Sequence, residues 1–148
     1  MVRLFGAPQI LRGTDPVPVH NRRAFLVLAR VAIVPVSHDR AELAAACWPS
    51  APAATARGNL RSVLSNLRQV APDLLDIDRR SVRLSADARA SVDVLRFLDL
   101  LDGVHDPGLD RDAQVETCQE ALSLWGGELL PGGEDDLDEH LEEWLELE

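Results

Sequence analysis

The stretch from Thr55 to Ala71 carries Arg57, Arg61 and Arg68 together with Asn59, Ser62, Ser65, Asn66 and Gln69, and no acidic residue. These side chains suit the reading of a nucleic-acid duplex. Arg forks onto guanine acceptors or phosphate, Asn and Gln pair with adenine, and hydroxyls serve either. Arg79 and Arg80 follow in a polar turn, placed to touch phosphate or an adjacent minor groove. Arg40 and Thr55 stand at expected helix starts, where exposed N–H groups attract anions. For Thr55 a plain N-cap role is an equal alternative. Taken singly, Ser62, Ser65 and Asn66 face either a duplex or solvent.

Other chemistries lack their residues. His20, His38, His105 and His140 are too scattered for metal spacing. Asp110-Arg111-Asp112 lacks the Gly and terminal Glu of a calcium loop, and there is no Walker sequence, no Lys and no GxSxG elbow. No enzyme activity, metal or cofactor is expected. Cys47 and Cys118 lie in apolar helical context and are expected as buried free thiols, which suits a reducing compartment. The start has no apolar signal region and no run approaches the roughly 20 residues of a membrane span. The expected location is therefore cytoplasmic, with no membrane partner.

The elements that must position the arginines follow from punctuation and period. Val2, Leu4, Ile10 and Leu11, with turns at Gly6-Ala7-Pro8 and Gly13-Thr14-Asp15-Pro16, predict a small antiparallel sheet whose edge strand contains Val17 and Val19. Phe25, Leu28, Ala29 and Ala32 repeat at helical spacing, so a helix runs from Arg22 to Ile33 with Asn21 as N-cap. Ser37-His38-Asp39 begins a second helix, which ends near Cys47 with Leu43, Ala46 and Cys47 inward. A short turn at Ser50–Ala54 leads to a third, from Thr55 to Val70. There Leu60, Val63, Leu64 and Leu67 fall within an arc of about 110° at 100° per residue, with the arginines at one edge. Leu74–Ile77 and Ser81–Leu84 predict a hairpin around Asp78-Arg79-Arg80, and Ala90–Val92 a further extended segment. Helices are expected from Asp93 through Leu101, from Ala113 to Trp125 and from Asp136 to Glu148, with Trp48, Trp125 and Trp144 as packing anchors. The last stops without cap, Gly or Pro, as a shortened chain would.

Charge divides along the same line. The 148 residues carry a net −10, yet residues 1–98 hold 14 Arg against 8 acidic residues, a net +6, and residues 99–148 hold one Arg against 17, a net −16. All fifteen basic residues are Arg. The fold expected is α+β, with residues 1–92 as a DNA-binding domain and residues 93–148 as a partial helical domain.

Several stretches carry a family likeness: Val2-Arg3-Leu4-Phe5-Gly6, Val17 to Ala24, Arg40-Ala41-Glu42-Leu43-Ala44 with Cys47-Trp48-Pro49, and most specifically Ala56 to Arg68. In that order the chain resembles the SARP-type bacterial transcriptional activators, with an OmpR-like winged helix-turn-helix. Val92-Asp93-Val94, Ala121 to Leu130 and Glu142-Glu143-Trp144-Leu145 are similar to the start of the bacterial transcriptional activator domain, which is TPR-like. The resemblance implies that 55–70 is the recognition helix and 74–84 the wing. It also implies double-stranded DNA and RNA polymerase as partners, and binding to direct repeats as tandem or paired protomers. Gly58 departs from the family pattern, which usually has a better helix former there, and Asn66 and Gln69 stand at positions often basic in relatives. The alternative is a protein-interaction or regulatory module that keeps the winged-helix fold and binds no DNA, as the −16 C-terminal part would favour.

Overall fold

Helix α1 (Arg22–Ile33) is apolar on nearly every side, so it has to run through the centre of the molecule. Eight of its residues are buried, from Ala24 to Ala29 and then Val31 and Ala32. Asn21 caps it by accepting from the Arg23 N–H, and Val34 closes its last turn. The computed structural model describes residues 1–19, 21–104 and 108–131. His20, the 105–107 segment and everything from 132 onward, including Trp144, His140 and the helix expected over Asp136–Glu148, lie outside the described residues.

Around α1 the order of elements is that of a winged-helix-like α+β fold. Strands β1 (Val2–Arg3), β2 (Gln9–Arg12) and β3 (Asp15–Val17) form an antiparallel sheet in that order. The edge strand contains Pro16, opposite Leu11, rather than Pro18. That suits a residue with no N–H to give a central ladder. A second sheet has the order β4-β6-β5, from β4 (His38–Asp39), β5 (Leu75–Ile77) and β6 (Ser81–Leu84). Between them lie α2 (Arg40–Cys47) and α3 (Ala53–Val70), which pack on each other.

The second helix starts later than its sequence suggests. His38 and Asp39 pair with Val82 and Ser81 as a strand, and Asp39 then caps α2 by accepting from the Ala41 and Glu42 N–H groups. Its inner face is Leu43, Ala44 and Cys47, with Ala46 only half-buried. Burial pushes the Cys47 thiol up to about 11, whereas Cys118 is partly exposed instead of buried. The segment expected to be extended near Ala90 is a 3-10 helix, Ala86–Ser91, and only Val92 makes a bridge, to Val2.

Helices α4 (Asp93–Val104) and α5 (Arg111–Leu124) pack together, and α5 is capped by Asp110. They are tied to the first sheet in three ways. The Asp93 carboxylate is buried and accepts from the N–H groups of Leu4, Phe5 and Val94. Phe5, Phe97 and Trp125 cluster with ring centroids 5.0–5.7 Å apart, although half of Trp125 stays exposed. Gly6 and Leu4 bond the backbone of Glu128 and Leu130. Gly6 has φ +66°, and a Cβ there would collide with the Gly126 carbonyl oxygen, so both its conformation and its neighbour require glycine. One hydrophobic core therefore runs from Val2 through α1 to Leu95 and Leu130.

Candidate nucleic-acid interface

Helix α3 buries Ala56, Leu60, Val63, Leu64 and Leu67 and turns the rest outward. Advancing 100° per residue, Arg57, Arg61 and Arg68 share one flank beside the buried stripe. Asn59 and Asn66 fall on the opposite flank, about 170° round the helix. The crest between the flanks holds Gly58, Ser62, Ser65 and Gln69, and the Ser62 hydroxyl donates back to the Gly58 carbonyl at 3.2 Å.

The arginine flank faces the start of α2 and the tip of the β5–β6 hairpin. Two adjoining concavities lie there. One, of about 470 Å³, is lined by Arg40, Arg61, Ser65, Arg68, Asp78 and Arg79 among others. The other, of about 330 Å³, is lined by Asp39, Arg40, Arg57, Arg61, Arg79 and Arg80 among others. Residues far apart in sequence thus converge: 40 from α2, 57, 61 and 68 from α3, 79 and 80 from the hairpin tip. None of the six arginines forms an ion pair with a described carboxylate.

The two acidic residues in these linings hold backbone N–H groups. Asp39 caps α2. Asp78 folds the hairpin tip: its carboxylate accepts from the N–H groups of Arg80 and Ser81 at 2.6 and 2.7 Å, and from the Ser81 hydroxyl at 2.8 Å. The bonds from Ser81 and Arg80 hold the Asp78 carboxyl below its ordinary 3.8. Arg40 donates to the Asp78 carbonyl at 3.0 Å and Arg68 to that of Ile77 at 3.3 Å, so both brace the hairpin against the helices.

Thr55 does not cap α3. The helix begins two residues earlier, with Pro52 at the cap position, and Thr55 is exposed in the first turn. Asn59 and Asn66 are half-buried and line neither concavity. Sequence reading missed Asp78, although an Asp opening a four-residue turn before Ser is a known local signal. It also missed Asp93 as a fastener, for which no local signal exists. Among the described residues no group of three His, Cys, Asp or Glu could hold a metal ion, and no helix is long and apolar enough to cross a membrane.

No family model and no curated protein matches the sequence. The fold is shared with Mycobacterium tuberculosis EmbR, solved in complex with a low affinity phosphopeptide. The TM-score is 0.74 at 25% identity, over 99% of this chain and 40% of that one. This supports a SARP-type fold for a chain that spans about two fifths of its neighbour's length.

Proposed function

We propose that this chain is the sequence-reading part of a DNA-binding transcriptional regulator, with α3 in the major groove and the 74–84 hairpin on the backbone. The observation that carries the reading is the convergence of Arg40, Arg57, Arg61, Arg68, Arg79 and Arg80 on one concave face with no described carboxylate to neutralise them. A concave cationic face focuses the field of its charges and raises the local concentration of a polyanion. The major groove admits one helix, and the hairpin flanks it where a phosphate strand would pass.

Within this reading the roles divide by position. Arg40, Arg79 and Arg80 meet phosphate, which fixes register; Arg57, Arg61, Ser62, Ser65 and Arg68 reach base edges or the strand beside them. Thr55 offers its first-turn N–H to phosphate. Asn59 and Asn66, on the other flank, meet the opposite wall of the groove. Residues 93–131 belong to the start of a TPR-like activator domain, and RNA polymerase and a second protomer on a direct repeat are partners proposed from the family likeness alone.

Site selection from genomic fragments with the purified chain, followed by a salt titration on the selected duplex, tests the reading. A DNA-binding face gives a recurring motif and a log–log salt slope of several units. Absence of any enriched sequence together with a flat salt response would leave only the protein-interaction module.

A further inference from the structure

Gly58 is a glycine that the fold does not ask for. It lies within α3 in helical conformation, and a Cβ built there meets nothing within 4 Å. By helical spacing it points about 180° away from the buried stripe. A glycine in a helix interior is a poorer choice than Ala by propensity, so this residue weakens the element that presents the arginines. Glycine elsewhere in the chain has an internal reason, as Gly6 does against the Gly126 carbonyl. At Gly58 the internal reason is missing, while Arg57 and Arg61 project from the flank beside it into the concavity under the hairpin.

We infer that Gly58 is a specificity-determining residue of the DNA site: its bare Cα lets a base-pair edge seat against the backbone of α3, bringing Arg57 and Arg61 to their partners. The inference rests on the reading of α3 as the groove-facing helix. Glycine is the residue that permits such close approach of a backbone to a ligand. A side chain at the crest would hold the helix away from the groove floor, and every contact on the arginine flank would lengthen with it.

The test sets stability against affinity in one series, Gly58→Ala and Gly58→Leu, with Gly103→Ala as a control. Gly103 lies in α4 with equally open surroundings and lines neither arginine concavity. Gly58→Ala should raise the melting temperature by about 2–4 °C, since the substituted residue is the better helix former. The same change should weaken binding to the selected duplex roughly tenfold, with a larger loss for Gly58→Leu and none for Gly103→Ala. Unchanged affinity in both Gly58 variants, or a melting temperature that falls in Gly58→Ala, overturns the inference. If Arg61→Ala abolishes binding while the Gly58 variants bind as the parent does, the inference fails and the DNA reading stands. If the parent chain selects no duplex, both fall.

Discussion

Arginines on two sides of this molecule have different fates. Arg83, Arg89 and Arg96 each hold a carboxylate, on Asp76, Asp99 and Glu120, and so tie β6 to β5, the 3-10 helix to α4, and α4 to α5. Arg57, Arg61, Arg68, Arg79 and Arg80 have no described carboxylate partner and surround two concavities. Both sets fall in the basic part of the sequence. What separates them is the fold, which spends one set within the chain and leaves the other facing outward. Net charge by segment therefore overstates the cationic surface, and its placement is the informative quantity.

The comparison breaks most readily at α3. Replacing Arg57, Arg61 and Arg68 together by Ala should weaken binding to the selected duplex at least about 100-fold, at about 1 kcal/mol or more per arginine that reads a base. Fluorescence anisotropy reads this loss directly. The melting temperature should stay close to that of the parent, because these side chains hold no carboxylate.

Asp93→Ala should act in the opposite sense, on stability and not on the face. It leaves three buried N–H groups, of Leu4, Phe5 and Val94, without their acceptor, and should cost about 2–4 kcal/mol in denaturant unfolding. Burial pushes the Asp93 carboxyl above its ordinary 3.8, so the carboxylate already carries a desolvation cost. The replacement orphans its donors all the same.

Smaller effects sharpen the distinction. Arg83→Ala, Arg89→Ala and Arg96→Ala remove exposed ion pairs, each worth about 1 kcal/mol or less, and should leave duplex affinity unchanged. The hairpin tip should respond to acid. The folded Asp78 carboxyl titrates below 3.8, so the stability it lends is present above that value and lost as pH falls through the lowered one. Exchange protection at the Arg80 and Ser81 amides, measured by NMR between pH 5 and about 2, should fall in that window.

How much of this was legible in the sequence varied with the range of the forces involved. The apolar stripes of α1 and α3 are local and long, and their periodicity placed both helices, α1 to the residue. The start of α3 was misplaced because Thr55 competed as a cap with Pro52, whose fixed φ suits a helix start. His38 and Asp39 read as helix because the partners that make them a strand, Val82 and Ser81, lie more than forty residues away. Asp93 looked like an ordinary cap for the same reason, since its donors Leu4 and Phe5 are 89 and 88 residues away. At the candidate site, composition and spacing found the arginines. Their division into open and paired sets depended on tertiary contacts, as did the separation of Asn59 and Asn66 from the concave face.

The most direct measurement is arginine-selective modification with phenylglyoxal, mapped by mass spectrometry in the presence and absence of saturating selected duplex. Arg57, Arg61, Arg68, Arg79 and Arg80 should become protected on binding, while Arg83, Arg89 and Arg96 should react equally in both states. Protection confined to the second set, or the same modification pattern with and without bound duplex, would contradict the account.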